Sequence, residues 1–218
     1  MTLPNEATDN TEPTEQVEGV PQEPMTEAQL QAVTIGAPVI LNQPILIVDY
    51  DPEWPQLFER EATRIRADLG DRALSIEHVG STSVPGLAAK PRIDILLVVA
   101  NSADEANYVP ALEATGYVLT IREPDWYQHR MLKGPDTDVN LHIFSQGCAE
   151  IERMLLFRNW LRCNPGDRQL YEQTKRQLAQ QSWKYTQNYA DAKSTVVAEI
   201  LARAQKAAKS NEITNSKF

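Results

Sequence analysis

Short apolar runs alternate with amphipathic stretches through the middle of the chain. Six runs have the composition of β-strands: PILIVDY, LSIEHV, RIDILLVVA, YVLTIRE, YQHRMLKG and VNLHIFS. RIDILLVVA is apolar almost throughout, which predicts a central strand buried on both faces. The segment GPDTD separates the last two runs and has the composition of a turn. The pattern predicts a mixed sheet of about five strands.

A helical period begins after the first strand-like run. Asp51 and Pro52 are suited to the N-cap and the first position of a helix, and Gly70 is suited to its C-terminal end. Five apolar residues of this segment recur on one helical face: Leu57, Phe58, Ala62, Ile65 and Leu69.

Four further helical segments follow. ADEANYVPALEATG lies between a capping residue, Ser102, and Gly116, and Pro110 inside it is expected to shorten the helix. Pro165 and Gly166 separate two of the remaining three segments, which are AEIERMLLFRNWLRCN, DRQLYEQTKRQLAQQ and NYADAKSTVVAEILARAQKAA. Strands followed by a run of helices predict an α+β fold, in which the C-terminal helices pack against the same domain.

The ends of the chain differ in composition from this body. Residues 1–30 contain seven acidic residues and no aromatic residue, which predicts a disordered acidic tail. Residues 31–43 are predicted to form an extended arm, because the stretch TIGAPVILNQP that overlaps them is more apolar and its two prolines argue against a central strand. The folded domain is predicted to span residues 44–206, and residues 207–218 are predicted to fray.

The net charge of −9 is distributed unevenly along the chain. Residues 1–59 hold 11 acidic and no basic residues, whereas the rest holds 19 acidic and 21 basic residues, a balance of +2. The acidic total therefore does not argue against an anionic ligand for the domain. No basic stripe with interleaved aromatic residues is present, so nucleic acid is not an expected partner.

The two cysteines, Cys148 and Cys163, form neither a CxxC motif nor a Cys/His cluster, which indicates free thiols and no structural zinc. No apolar run approaches the roughly 20 residues of a membrane span, and the N-terminus lacks the basic region of a secretory signal. We therefore expect a cytoplasmic protein without a membrane partner.

The stretch IEHVGSTSVPGLAAKPRIDILLVV carries the candidate chemistry. A Gly-Ser turn after a strand presents backbone N–H groups to an anion, because no Cβ at the glycine obstructs its approach. Gly80, Ser81 and Thr82 would form this turn, with Lys90 and Arg92 supplying charge. The alternative is an ordinary polar connection between two strands.

A single carboxylate, Asp94, lies among the aliphatic residues of the strand that follows. A carboxylate on a buried strand requires an ion-pair partner or a metal. Both alternatives remain open on the residues alone. Leu96, two positions later, lies on the same face of the strand because side chains of a strand alternate between its faces.

All three histidines, His78, His129 and His142, fall in or beside predicted strands. Each alone is more typical of a structural histidine, but three in one neighbourhood favour a ligand-binding or proton-transfer role for at least one. Glu77 is expected on the face opposite His78, so we assign it only a supporting role. Trp126 lies in a loop-like segment and is a candidate for contact with a ligand.

The same stretch resembles the GrpB family of the nucleotidyltransferase (polymerase beta-like) superfamily. The similarity extends over residues 44–204 and includes the blocks VDYDPEWPQLFEREATRIRADLG, NLHIF, LLFRNWLR and YADAKSTVVAEIL. It implies a nucleotidyltransferase-like mixed sheet with flanking helices and a C-terminal helical segment. It also implies that the Gly-Ser turn contacts nucleotide phosphates, while carboxylates two residues apart and a third from a neighbouring strand hold divalent metal.

This chain departs from that pattern at the second acid. Leu96 replaces it and supplies no ligand, and His142 is expected at the third position. Asp94 and His142 are therefore the predicted catalytic pair, with Mg²⁺ or Mn²⁺ as the candidate metal ion. By the same resemblance, basic residues of the helical segment contact phosphates; Arg158 and Lys193 are favoured, and Lys175 is a further candidate.

Two functions follow as hypotheses. The first is the binding of a phosphorylated small molecule, with a nucleotide as the expected class, in a cleft between the sheet and the C-terminal helices, with or without transferase activity. The second is a non-catalytic interaction or folding-assistance module related to coenzyme A biosynthesis, because relatives occur fused to dephospho-coenzyme A kinase. In that case the kinase would be a protein partner.

Overall fold

A five-stranded mixed sheet forms the centre of the protein. The structure is a computed structural model and describes residues 23–215. Strand β2 pairs in parallel with β5, and all other neighbouring pairs are antiparallel. The spatial order is β1-β2-β5-β4-β3, for strands β1 (Ser75–Val79), β2 (Ile93–Val99), β3 (Val118–Glu123), β4 (His129–Lys133) and β5 (Val139–Ser145). The predicted α+β class and the five-stranded mixed sheet are confirmed.

The first strand-like run, PILIVDY, is not a strand. Its only ladder contact is an isolated antiparallel bridge between Val48 and Ala89. Ile45 is buried, but its neighbour Leu46 is 63% exposed. The apolar run therefore reflects single side chains that reach the core from an extended segment, rather than a strand within the sheet.

One face of the sheet packs against two helices, α2 (Trp54–Leu69) and α3 (Val109–Glu113). The predicted apolar face of α2 is confirmed: Phe58, Ala62, Ile65 and Leu69 are buried, and Leu57 packs against them. The helix begins at Trp54, not at Pro52, because Asp51 caps the turn that precedes it and accepts a hydrogen bond from the Glu53 N–H at 2.8 Å.

The second predicted helix is divided and short. A 3₁₀ turn spans Glu105–Asn107, and Pro110 then lies in the first turn of α3. Ser102 does not cap a helix; its hydroxyl is buried and donates to the Gln128 carbonyl at 2.9 Å. Pro110 is tolerated in the first turn of a helix, because the N–H that it lacks would have no partner there. The helix therefore begins beside Pro110 and is shorter than the predicted segment.

Four helices follow β5 in the described part of the chain. Helix α4 covers the other sheet face, and α5 and α7 pack beside it around Leu161, Tyr171 and Ile200. Pro165 is the first residue of its helix instead of a separator, and the last predicted helix is interrupted at Ala192 and Lys193. The helices are α4 (Ala149–Cys163), α5 (Pro165–Ala179), α6 (Thr186–Asp191) and α7 (Ser194–Asn215).

Both ends of the described chain are more ordered than the sequence predicts. Helix α7 continues to Asn215, past the expected fraying after residue 206; Ala207, Ala208 and Lys209 are good helix formers at the start of this extension. The tail prediction for residues 1–22 lies outside the described residues. The part of that predicted tail that the structure describes includes most of helix α1 (Glu27–Val33).

Helix α1 is held by local and tertiary contacts. Thr26 forms a capping box at its start, and Leu30 is buried. Glu27 contacts Lys184 at 2.7 Å and accepts from the Tyr185 hydroxyl at 2.8 Å. The capping box and the burial of Leu30 are the reasons why an acidic segment folds here.

Residues 31–33 of the predicted arm belong to α1, and the segment after them makes two backbone contacts with the rest of the domain. The Ile35 N–H donates to the Thr120 carbonyl of β3 at 2.9 Å, and the Leu41 N–H donates to the Lys184 carbonyl at 2.9 Å. The arm therefore connects the outer strand of the sheet to the turn between α5 and α6.

None of the helices within residues 23–215 has the length and apolar character that a bilayer crossing requires.

Truncation from the N-terminus should separate the tail from α1. We expect deletion of residues 1–22 to leave the melting temperature unchanged. Deletion of residues 1–33 should lower the melting temperature by about 2–8 °C, because burial of Leu30 is worth about 2 kcal/mol. Differential scanning calorimetry of the two chains provides the comparison. Equal melting temperatures would show that α1 contributes nothing to stability.

Candidate active site

The Gly80–Ser83 turn brings the end of β1 against the start of β2. Val79 pairs with Asp94 in the antiparallel ladder, and a single 3₁₀ turn follows over Ser81–Ser83. Gly80 has φ 67° and ψ −172°, a region that only glycine occupies readily. A Cβ at Gly80 would lie 2.9 Å from the Asp94 Cβ and collide with the Asp94 Oδ2. The glycine therefore permits the carboxylate to lie directly against the turn.

Asp94 is connected to a lysine through an amide. The Asn140 Nδ2 donates to the Asp94 Oδ1 at 2.8 Å, and the Lys133 Nζ donates to the Asn140 Oδ1 at 2.5 Å. The His142 Nε2 lies 3.9 Å from the same carboxylate oxygen. Burial alone would raise the pKa of the Asp94 carboxyl, but the adjacent His142, Asn140 and Arg92 outweigh it and hold the pKa below its usual value. Asp94 is therefore a carboxylate at neutral pH.

His142 is oriented by a chain of side chains on strands β3 and β4. The Glu123 Oε2 lies 2.6 Å from the His129 Nδ1, and the His129 Nε2 lies 3.1 Å from the His142 Nδ1. The two imidazole rings stack with their centroids 5.2 Å apart. Burial lowers the pKa of His129 to about 4 in spite of the neighbouring Glu123, so His129 is neutral at pH 7.

Because His129 is neutral, it fixes the donor and acceptor roles in the hydrogen bonds from Glu123 to His142. Its Nδ1–H donates to Glu123, so its Nε2 accepts from the Nδ1–H of His142. The Nε2 of His142 is then the ring nitrogen that faces Asp94. Sequence reasoning identified the two histidines but missed Glu123, Lys133 and Asn140. The alternation of VNLHIF was a signal for Asn140, because it places Asn140 and His142 on one face.

An apolar residue, Leu96, stands where the superfamily pattern has its second acid. Leu96 is fully buried and packs beneath α4 in a cluster with Phe144 and Ile151. Within residues 23–215, no group of three or more His, Cys, Asp or Glu side chains is arranged to hold a metal ion. The donor set does not fit the two-metal centre that the superfamily resemblance implies.

Lys90 and Lys193 lie beside the same aromatic ring, that of Tyr189. The Lys90 and Lys193 ammonium groups lie 5.8 and 4.7 Å from the centroid of the Tyr189 ring. Burial lowers the pKa of Lys90 to about 8, and the neighbouring charges of Arg92 and Lys193 act in the same direction.

Lys175 is almost completely buried and donates to the Ala88 carbonyl. Burial lowers the pKa of Lys175 to about 7, again with a contribution from the Lys193 charge. Arg92 pairs with Asp138 at 2.8 Å. The predicted Lys90, Arg92, Lys175 and Lys193 therefore lie in one electropositive region, where the charge of Asp94 also acts on Lys90 and Lys175.

Glu77 and His78 lie on opposite faces, as expected, but Glu77 and not His78 is on the side of Asp94. Because Val79 pairs with Asp94 and Glu77 with Leu96, Glu77 shares the face of Asp94. His78 points to the opposite face, where its ring stacks on Phe58 with centroids 4.8 Å apart. Its Nε2 lies 3.0 Å from the Thr82 hydroxyl, which itself donates to the Arg92 carbonyl, so both side chains have structural partners.

Two other predicted contact residues lie away from the lysines. The Arg158 Nη1 donates to the Glu77 Oε2 at 2.8 Å and to the His78 carbonyl at 2.9 Å, at the outer edge of β1. Trp126 packs edge-on against His129 and Phe144, with centroids 5.4 and 5.8 Å away. Trp126 thus supports the histidine chain from the side.

The fold and this arrangement define the class of protein: an α+β domain with a five-stranded mixed sheet and a Gly-Ser turn against a strand aspartate. Residues 44–203 match the GrpB family, described as GrpB protein. The chain belongs to the GrpB family, as the sequence resemblance indicated.

Individual relatives agree with this assignment. A UPF0157 protein of Halalkalibacterium halodurans is 61% identical over 181 residues, which cover 83% of this chain and 93% of the relative. The crystal structure of the conserved protein GrpB from Enterococcus faecalis matches with a TM-score of 0.66 and 34% identity, over 74% of this chain and 98% of that chain. A dephospho-CoA kinase of Mycolicibacterium paratuberculosis is 31% identical over 66% of this chain and 42% of the kinase.

Substitution of Gly80 tests the contact with Asp94. We expect Gly80→Ala to destabilise the protein by about 2–4 kcal/mol, because positive φ and displacement of Asp94 both add cost. Gly147→Ala is the matched control, since Gly147 also has positive φ but no atom within 4 Å of the added Cβ. Its cost should be about 1–2 kcal/mol. Equal losses in urea unfolding would argue against the steric contact.

The buried His78 predicts a pH dependence of stability. Burial lowers its pKa from 6.5 to about 4 in the folded state, so the unfolded chain takes up the proton first as the pH falls. Its contribution is complete above pH 6.5 and decreases between pH 6.5 and 4, by up to about 3 kcal/mol.

His129 has a similarly lowered pKa and contributes its own loss over the same range. His78→Gln should therefore retain roughly half of the pH-dependent loss. The measurement is the free energy of unfolding between pH 4 and 7. An unchanged slope in His78→Gln would mean that His78 titrates normally in the folded protein.

Proposed function

We propose that the cleft between the sheet and the C-terminal helices binds a phosphorylated small molecule, with a nucleotide as the expected class. The observation that carries the proposal is the excess of cationic side chains around a single buried-strand carboxylate, Asp94. Those side chains are Lys90, Arg92, Lys133, Lys175 and Lys193. Asp138 at the rim and Glu172 beside Lys175 are two further acids, so five cations face three acids and the region retains a positive balance.

The energetics of the lysines favour an anion. Lys90 and Lys175 lose part of their hydration on burial, and both lie near the Lys193 charge. A phosphate group would supply the missing countercharge and accept charge-assisted hydrogen bonds from ammonium groups. The exposed Gly80 and the partly buried Ser81 add a backbone turn at which a phosphate oxygen can approach closely.

Asp94 and His142 form the polar end of this proposed site. With Leu96 in place of an acid, we propose that phosphate is neutralised mainly by lysines and not by a pair of metal ions. The alternative is that Asp94 and His142 together hold a single Mg²⁺ or Mn²⁺ ion, which contacts the phosphate. We also propose that the protein has transferase activity and is located in the cytoplasm, as expected from the sequence.

Nucleotide titration by calorimetry, in EDTA and in Mg²⁺, tests this function. Binding should persist in EDTA, and Lys90→Gln and Lys193→Gln should each weaken it about 10-fold, the equivalent of roughly 1.4 kcal/mol. Lys206→Gln on the exposed surface of α7 is the control and should leave affinity unchanged. Equal affinity in all variants, or no binding of any nucleotide, would contradict the proposal.

Asp94→Asn separates the lysine mechanism from the metal option. If lysines alone neutralise the phosphate, loss of the carboxylate removes a repulsion and binding becomes tighter in EDTA. If one divalent ion bridges Asp94 and the ligand, the same substitution abolishes Mg²⁺-dependent binding. The two outcomes have opposite signs, so a single pair of titrations distinguishes them.

The second candidate function is an interaction or folding-assistance module. It is favoured by the similarity to dephospho-CoA kinases, whose length this chain matches only in part. Sedimentation of this protein with a dephospho-CoA kinase that lacks such a domain is the direct test. A complex that survives Lys90→Gln and Lys193→Gln would place this function on a different surface from the cleft.

A further inference from the structure

A second groove lies at the free edge of β1, between α2 and α4. Its volume is about 400 Å³, within the range of small-molecule sites. Three guanidinium groups line it, from Arg66 of α2 and from Arg158 and Arg162 of α4. None of the cleft lysines lines this groove.

Two of these arginines lack an acidic partner among the described residues. The Arg162 Nε and Nη2 both donate to the neutral Ser83 carbonyl, at 3.1 and 2.8 Å. The Arg66 side chain makes no hydrogen bond or ion pair within residues 23–215. Arg158, by contrast, is neutralised by Glu77 and is only 11% exposed. The groove therefore contains one fixed ion pair and two guanidinium groups available to an anion.

The electrostatics of Arg162 indicate crowding of like charges. Burial lowers its pKa, and the adjacent Arg158 lowers it further, against the opposing effect of Glu77. A bound anion would relieve this repulsion. Guanidinium groups are suited to phosphate because their planar N–H pairs match two phosphate oxygens.

The rest of the lining combines apolar residues with Glu59, His78 and Ser83, beside the Glu77 that pairs with Arg158. Tyr50 and Phe58 contribute aromatic surface, and Pro55, Ile76 and Pro85 extend it. Glu59 also lines the groove and limits its net positive charge. A long polyanion is therefore a poor match, whereas a compact phosphate attached to a flat apolar group matches both parts of the lining.

The groove is separated from the lysine cleft by the Gly80–Ser83 turn. On one side of the turn Gly80 lies against Asp94, and on the other side the Ser83 carbonyl holds Arg162. The two sites share no lining side chain, so a ligand in the groove does not require one in the cleft.

We propose that this groove is a binding site for an aromatic or similarly flat phosphate monoester, independent of the nucleotide site. Arg66 and Arg162 would hold the phosphate, and Tyr50 and Phe58 would contact the apolar group. Arg158 would position Arg162 and the β1 edge without carrying the ligand charge itself.

Phenyl phosphate is the probe, titrated into the full chain by calorimetry. We expect phenyl phosphate to bind and phenol to show no binding, while inorganic phosphate binds more weakly than phenyl phosphate. Arg66→Gln and Arg162→Gln should each raise the dissociation constant about 10-fold. Arg60→Gln, on α2 but outside the groove, and Lys193→Gln, in the cleft, should leave it unchanged.

Glu59→Gln provides a gain-of-affinity arm that a folding defect cannot imitate. Removal of this negative charge should tighten phenyl phosphate binding several-fold. Three results would overturn the proposal: no binding of phenyl phosphate, unchanged affinity in both Arg66→Gln and Arg162→Gln, or loss of binding in Lys193→Gln. The last result would assign the probe to the cleft instead of the groove.

Discussion

The parallel pairing of β2 with β5 is the constraint on which the candidate active site depends. Its register places Asp94 opposite Asn140 and Leu96 opposite His142. Side chains at paired positions share a sheet face, so one hydrogen-bond ladder determines which polar groups meet. A shift of one residue would direct Asp94 into the apolar core between the sheet and α2.

The same register explains why a buried-strand carboxylate is tolerated. The Asn140 amide donates a hydrogen bond to one Asp94 oxygen and accepts one from Lys133. His142 lies close to the same Asp94 oxygen. On the opposite face the strand is wholly apolar, with Ile93, Ile95 and Leu97 packed against α2 and α3. The chain thus keeps polar chemistry and hydrophobic packing on separate faces of a single strand.

The sequence predicted the sheet well because its strands have distinct apolar or alternating patterns. It failed for PILIVDY, where an extended segment buries Ile45 without joining the ladder, and for α1, where a short capping box outweighs an acidic composition. These outcomes depend on tertiary contacts, which local propensity does not contain.

For the candidate site, the residue types in the sequence were sufficient to single out the Gly-Ser turn, Asp94 and the histidines. Sequence reasoning placed His78, and not Glu77, on the side of Asp94. Which face a side chain of β1 occupies relative to Asp94 depends on the register between β1 and β2, which the sequence does not show. Sequence reasoning also missed Glu123 and Lys133, which are ordinary charged residues on their own strands. Their importance arises from strands β3 and β4, whose pairing brings distant positions into contact.

The extended arm has a consequence for self-association. Strand β3 is the last strand of the sheet, and its outer backbone groups would otherwise be unpaired. The Ile35 N–H covers the Thr120 carbonyl, and a bridge joins Thr34 to Ile121. Exposed strand edges are templates for pairing between molecules. By occupying this edge with its own chain, the protein removes a surface on which a second copy would extend the sheet.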